Sequence, residues 1–172
     1  MTKTTSAIDT TVSHPARRRD VLALGLAVAS QPLLSRTAAL ADDASSVLAT
    51  YKAFVSAQNA GDLEAVRTLF TQTPPFLWVS DGMSIWGRDV AIARMSLFRA
   101  SEVWRVTPDL DRAVPVMLDH RTAYLHLPLD LAIGARAKPD VLPFLVSMLC
   151  HRAEPTDPWG IAAPFTTTRK QA

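Results

Sequence analysis

The chain has 172 residues, of which 48% are hydrophobic and 20% charged, a balance that suits one globular domain with a sizeable core. Residues 1–41 hold five basic and two acidic side chains, whereas the other 131 residues hold 13 basic and 14 acidic ones. The net charge of +2 therefore resides in the N-terminal segment. Because nucleic-acid binding requires concentrated positive charge, the nearly neutral remainder argues against a nucleic-acid partner.

The N-terminal segment has the pattern of an export signal. A basic stretch ends with Arg18 and Arg19, and the residues at 21–35 are mainly apolar. Two arginines followed by any residue and two apolar ones resemble the twin-arginine signal, so we expect the twin-arginine export machinery to be a partner. The apolar stretch is shorter than the roughly 20 residues of a spanning helix, which argues against a stable membrane anchor.

A cleavage site follows this stretch. Ala39 and Ala41 flank Leu40 in the small-residue pattern that signal peptidases cut, and Asp42 comes next. We therefore predict that residues 1–41 are removed after export. Residues 42–172 then form a single periplasmic or extracellular domain.

The first predicted element of this domain is an amphipathic helix. Ser45 and Ser46 are candidates for its N-cap, and apolar residues recur after them at helical spacing. Gly61 is expected to end the helix in a left-handed conformation, and Asp62 to cap a second helix. The pair Gly61-Asp62 thus predicts a corner between two helices.

A short hairpin, a third helix and a series of strands follow in the sequence. "FLWVSDG" and "MSIWG" read as two strands joined at Asp81-Gly82, and the third helix starts after Gly87. The strands expected next are "VWRVTPDL", "AVPVMLD", "TAYLHLPLDL", "DVLPFLVSMLCHR" and "WGIAAPFTTT". In the third of these, leucines alternate with Tyr124, His126, Pro128 and Asp130, which predicts an antiparallel strand with one buried face.

Three helices, a hairpin and a run of antiparallel strands make an α+β order. The stretches "YKAFVSAQNAGDLEAVRTLF", "FLWVSDG", "WGRDVAIARM" and "PWGIAAPF" resemble, in this order, the nuclear transport factor 2-like superfamily and its SnoaL-like branch. The resemblance covers roughly residues 44–166. It implies three helices packed on a strongly curved antiparallel sheet, which together form a cone with an apolar pocket. It also implies a homodimer, and we expect the sheet face that carries Tyr124 and His126 to form the dimer interface.

Sequence motifs for common chemistries are missing. The histidines and the single cysteine show no metal-ligand spacing, no G-x-S-x-G is present, and the six glycines form no phosphate-binding loop. We therefore expect no metal and no cofactor. Cys150 lies in an apolar run and is interpreted as a core residue rather than a nucleophile.

The resemblance also bears on catalysis. Ketosteroid isomerases of this superfamily use a tyrosine on the first helix and two aspartates on strands. Phe54, Trp78 and Met148 (or its neighbour Ser147) fall at those positions here, so the resemblance implies that this chemistry is not kept. The predicted ligand-binding set is instead Phe54, Trp78 and Met148, with Tyr51, Ser80 and Trp86 nearby.

Two functions stay open at this point. The first is an exported domain that binds a small apolar molecule in its conical pocket. The second is a cofactor-independent enzyme, such as a cyclase, isomerase or hydratase, with catalytic residues not yet identified. A third outcome, in which Trp78 and Met148 meet and fill the cone, would leave an ordinary core.

Overall fold

The computed structural model describes residues 32–98 and 101–170. The helices are α1 (Pro32–Ala60), α2 (Leu63–Leu69) and α3 (Arg88–Phe98), with one turn of 3₁₀ helix at Leu110–Arg112. The strands are β1 (Leu77–Ser80), β2 (Met83–Trp86), β3 (Val103–Pro108), β4 (Val114–Met117), β5 (Thr122–Gly134), β6 (Asp140–His151) and β7 (Gly160–Thr168). Within these residues, no helix has the length and apolarity needed to cross a bilayer.

Helix α1 begins earlier than the sequence predicted. Ser45 and Ser46 lie inside α1 rather than at its N-cap, and the Ser45 hydroxyl donates to the carbonyl of Ala41, four residues earlier. Serine can bond in this way within a helix, so its presence alone does not place a cap. The N-cap prediction was wrong for this reason.

The predicted corner between the first two helices is present. Gly61 has a φ of 69°, the left-handed conformation that glycine adopts without strain. The Asp62 carboxylate accepts a hydrogen bond from the backbone N–H of Ala65 at 2.9 Å and so caps α2. α2 consequently turns back and packs against α1.

The strands form one sheet in the order β2-β1-β7-β6-β5-β3. The long strand β5 also pairs with β4, which contacts the first part of β5 while β3 contacts the last part. Most neighbours are antiparallel, as predicted, but β1 runs parallel to β7, with Val79 opposite Phe165. The sheet is therefore mixed, and this one parallel pair is its departure from the predicted antiparallel sheet. A parallel pair requires a long crossover, which here is the whole chain between β1 and β7.

The leucines of β5 face the helices as their alternation predicted. Leu125 and Leu127 are completely buried, whereas the intervening Tyr124 is 38% exposed on the outer face. Met148 and Val146 of β6 complete this inner surface. The hydrophobic core thus lies between the concave face of the curled sheet and the three helices.

Candidate functional site

A cavity of about 100 Å³ lies between the inner sheet face and the helices. Ten of its lining residues are apolar and four carry a polar side chain. The apolar residues are Phe54, Trp78, Met95, Trp104, Val106, Leu129, Leu131, Phe144, Val146 and Pro164, and the polar ones are Tyr51, Gln58, Ser80 and Thr166. Within this lining, the Tyr51 phenol is the sole ionisable group.

Helix α1 supplies one wall through a stripe at helical spacing. Tyr51, Phe54 and Gln58 are three and four residues apart, so their side chains lie on one face of the helix. The end of α1 is fixed by Asn59, whose side chain accepts from the backbone N–H of Val106 at 2.7 Å and donates to its carbonyl at 2.9 Å. These two hydrogen bonds hold the helix at a set distance from β3.

The Tyr51 hydroxyl is the most unusual polar group of the cavity. Tyr51 is 1% exposed, and its hydroxyl oxygen has no hydrogen-bond partner among the described residues. Burial raises the pKa of this phenol well above its ordinary value of 10.0, so it stays protonated and can donate. A buried donor without a partner costs stability, which makes it a candidate ligand contact.

The other polar side chains of the lining are less available. Ser80 is buried and lies 3.4 Å from the carboxylate of Asp81, while the Thr166 hydroxyl donates to the carbonyl of Val79 at 3.2 Å. Asp81 itself forms the predicted turn between β1 and β2 with a φ of 51°. Its side chain is exposed and does not line the cavity.

The structure brings four of the six predicted ligand-binding residues to the cavity: Tyr51, Phe54, Trp78 and Ser80. Met148 and Trp86 lie elsewhere. Met148 shares the inner face of β6 with the lining residues, but it pairs with Leu125 in the closed core and is itself completely buried. Trp86 is opposite Leu77, on the other side of the hairpin from Trp78, and is 60% exposed.

Most of the strand contributions were not predicted from the sequence. The sequence predicted that the leucines of β5 face inward, but it did not predict that Leu129 and Leu131 line the pocket. It assigned no role to three further lining residues, Trp104, Phe144 and Thr166. Their positions follow from strand register: Trp104 is opposite Ile133, and Phe144 is opposite Leu129. Gln58 is the residue with a usable sequence signal, because it is a polar residue on an otherwise apolar helical stripe.

Other chemistries find little support in the described part of the chain. No group of three histidine, cysteine or acidic side chains is close enough to hold a metal ion there. Cys150 is completely buried, and burial raises the pKa of its thiol to about 12. The thiol is therefore protonated at neutral pH and inert, in agreement with its interpretation as a core residue.

The predicted export residues are described only in part. Arg18 and Arg19 lie outside the described residues. Ala39 and Ala41 fall within α1, and Ala41 is exposed. The carboxylate of Asp43, just beyond the predicted cleavage site, forms an ion pair with the buried Arg152 at 2.9 Å.

No protein-family model and no curated protein matches the sequence significantly. Solved structures do match. An NTF2-like protein with a cystatin-like fold from Novosphingobium aromaticivorans superimposes with a TM-score of 0.67 at 12% identity, over 84% of this chain and 94% of that one. A protein from Streptomyces avermitilis, provisionally described as a dehydratase of the NTF2-like family, gives 0.66 at 16% identity, over 76% and 98%.

A third structure, a ketosteroid isomerase-like protein from Erwinia carotovora atroseptica, gives a TM-score of 0.61 at 14% identity, over 75% of this chain and 98% of that one. At such low identities the likeness concerns the fold rather than the activity. The helices, the curled mixed sheet and these neighbours together support the predicted fold. The chain therefore has the cystatin-like fold of the NTF2-like proteins.

Proposed function

We propose that this protein is an exported domain that binds a small, mainly apolar molecule in the cavity between helix α1 and the sheet. The main support for this proposal is the cavity lining, which combines ten apolar side chains with four polar ones. This is the usual composition of a ligand pocket, in which apolar surface supplies affinity and a few polar groups supply orientation. The cavity volume of about 100 Å³ suits one ring or one short chain.

The Tyr51 hydroxyl is the group that would orient the ligand. It is buried, protonated and without a partner among the described residues, so a ligand oxygen placed beside it would accept its hydrogen bond. Gln58, on the same stripe nearer the end of α1, supplies a second polar contact. A neutral ligand with one or two oxygen atoms would therefore match this wall of the cavity.

The Tyr51 hydroxyl also supports the second candidate, a cofactor-independent enzyme, because a phenol can stabilise negative charge that develops on a substrate oxygen. Proton abstraction would additionally require a base within reach of the substrate. Among the described residues, no carboxylate, imidazole or amine lines the cavity to take that role. We therefore favour binding over catalysis.

The binding proposal is tested by comparing two tryptophans. Trp78 lines the cavity, whereas the exposed Trp86 lies on the opposite side of the same hairpin. Calorimetric titration with hexanamide, a short neutral amphiphile, should show saturable binding that Trp78→Ala and Phe54→Ala weaken at least about tenfold, the loss expected for a buried contact worth 1–2 kcal/mol. Trp86→Ala should leave the affinity unchanged.

Mass spectrometry of the purified protein under native conditions should also reveal a carried small molecule, which Trp78→Ala should release. The absence of both hexanamide binding and any carried molecule would overturn the binding proposal.

Export is proposed from the sequence pattern at Arg18 and Arg19 and the small residues Ala39 and Ala41. In a bacterial host with a twin-arginine pathway, the wild-type chain should reach the periplasm and begin at Asp42. Replacing both arginines with lysine should retain the precursor in the cytoplasm. Normal export of that double variant would contradict the twin-arginine route.

A homodimer through the outer face of the sheet is the remaining part of the proposal. Val114, His126, Ser147 and Phe165 occupy one row across four neighbouring strands, and Val114 and Phe165 are 52% and 42% exposed. A mixed apolar and polar surface of this kind is typical of self-association.

Sedimentation at tens of micromolar, roughly the range of weak dimers, should detect the dimer, and Phe165→Asp should dissociate it. Leu97→Asp, at an exposed leucine of α3, is the control. A monomeric wild type would contradict this part of the proposal.

A further inference from the structure

Two tryptophans of the cavity lining belong to an aromatic cluster that holds one cation. We call Trp78, Arg94, Phe98 and Trp104 the rim. Trp78 and Trp104 line the cavity and are partly exposed, and Phe98 stacks on Trp104 with the ring centroids 5.1 Å apart. The guanidinium carbon of Arg94 lies 5.7 Å from the ring centroid of Trp78 and 5.3 Å from that of Phe98.

Among the described residues, no hydrogen-bond acceptor is found for Arg94. A guanidinium attracts aromatic rings through its faces, whereas its five N–H groups point outward in its plane. The Nε of Arg94 is buried and has no hydrogen-bond partner among the described residues. No carboxylate in this part of the chain forms an ion pair with it either.

Arg152 is a second arginine beside an aromatic ring, but its guanidinium also has hydrogen-bond acceptors. Its guanidinium also stacks on an aromatic ring, that of Trp159, at 4.3 Å. In addition it pairs with the carboxylate of Asp43 at 2.9 Å, and its Nε donates to the carbonyl of His120 at 2.8 Å. Arg94 has the aromatic part of this arrangement without the acceptor. The missing acceptor lies beside the lining of an apolar cavity.

We infer that the ligand of this cavity carries a carboxylate, which Arg94 binds at the rim while the apolar part of the ligand fills the cavity. The inference rests on the proposed binding function and narrows it from apolar molecules to small amphipathic monocarboxylates. A carboxylate accepts two parallel N–H groups from one edge of a guanidinium, and Arg94 is partly exposed although its Nε is buried. The cavity of about 100 Å³ restricts the apolar part to one ring or a short chain.

The test compares hexanoate with hexanamide, which share a chain length and shape and differ in charge. Calorimetric titration of the full chain should give at least about tenfold tighter binding of hexanoate, the effect expected for a hydrogen-bonded ion pair in a partly buried site. Arg94→Gln should weaken hexanoate binding much more than hexanamide binding and so remove this preference. Arg105→Gln, at an exposed arginine of the neighbouring strand β3, should preserve the preference.

A measurement on the unaltered protein covers the case in which Arg94→Gln fails to fold. The side-chain Nε–H signal of Arg94, assigned by nuclear magnetic resonance from its contacts with the Trp78 ring, should shift with hexanoate and not with hexanamide. Equal affinity for the two probes, or a preference for hexanoate that survives in Arg94→Gln, would overturn the carboxylate inference and leave the binding proposal intact. Failure of both probes to bind would overturn the carboxylate inference, and the binding proposal would fall with it if the purified protein also carries no small molecule.

Discussion

The two halves of the cone are built from the same strands but differ in how completely they are filled. In the closed half, Leu125, Leu127 and Met148 are all 0% exposed. In the open half, a few residues further along the same faces, Leu129, Leu131 and Phe144 are partly exposed and line the cavity. Strand alternation is the same in both halves, so it cannot be the cause of the difference.

The difference therefore lies in how the side chains opposite the strands fill the space. Tyr51 and Phe54 line the cavity and contact each other, and Phe54 packs on Phe70, which stacks on Phe76 at 4.0 Å. The next position of the α1 stripe is Gln58, which also lines the cavity. In the open half, the α1 side chains thus leave part of the space between helix and sheet unfilled.

The largest expected effect is the contrast between leucine truncations in the two halves. Leu127→Ala, in the closed half, should lower the free energy of unfolding by about 3–5 kcal/mol, because it removes buried methyl groups and leaves a void. Leu131→Ala, in the open half, should cost only about 1 kcal/mol, since its side chain already contacts empty space. Urea denaturation of the two variants measures the contrast, and equal losses would show that the open half is filled.

Enlarging a side chain should give the reverse contrast. Ala123 is completely buried beside Cys150 in the closed half, so Ala123→Val should destabilise the protein by about 1–3 kcal/mol through overpacking. Leu131→Phe should be tolerated within about 0.5 kcal/mol and should reduce hexanamide affinity by occupying the cavity. Thermal unfolding and calorimetric titration measure these two effects. A similar loss of stability in both variants would contradict the presence of unfilled space in the open half.

The sequence predicted the fold better than it predicted the cavity, for a physical reason. Helix corners and hairpin turns depend on local chemistry, so Gly61-Asp62 and Asp81-Gly82 could be located by their residue types alone. The pairing of β1 with β7 is non-local, and its parallel direction has no signal in either strand. Whether an inward-facing residue meets another side chain or open space also depends on non-local packing.

The two misplaced residues illustrate this limit. Met148 faces inward as predicted, but it meets Leu125 in the closed half rather than the cavity. Trp86 was placed near the pocket by its closeness in sequence to Trp78, although the hairpin register puts it on the opposite face. Arg94 had been given no role. Its proximity to Phe98 follows from their spacing of four residues on α3, but its proximity to Trp78 depends on how α3 packs against the hairpin.

Tyr51 lies at the boundary between the halves. Its replacement by phenylalanine should change the free energy of unfolding less than the substitutions above, and in the opposite direction. Its hydroxyl is buried without a partner among the described residues, so Tyr51→Phe should leave stability unchanged or raise it by about 1 kcal/mol. Ser147→Ala is the control, because the Ser147 hydroxyl is 2.9 Å from Nδ1 of His126 and its loss should cost about 0.5–1.5 kcal/mol. Destabilisation by Tyr51→Phe would indicate that the hydroxyl has a partner in the ligand-free protein.

The smallest expected effect concerns the ion pair between α2 and α3. Helix α3 also carries Met95, which lines the cavity of the open half. Arg67 donates to the carboxylate of Asp89 at 2.7 Å, and this hydrogen bond lowers the pKa of Asp89 below its ordinary value of 3.8. A carboxylate whose pKa is lower in the folded protein adds stability above its unfolded pKa, and this stability is lost as the pH falls through the folded pKa.

The stability difference between wild type and Asp89→Asn should therefore be present at about pH 6 and decrease as the pH falls below the ordinary pKa of the carboxyl group and the Asp89 carboxylate takes up a proton. Because Asp89 is exposed and Arg67 is partly exposed, added salt should also reduce the difference. Asp111→Asn, at an exposed aspartate without an ion pair among the described residues, is the matched control. A difference that persists unchanged at the lowest pH would show that Asp89 contributes through packing rather than charge.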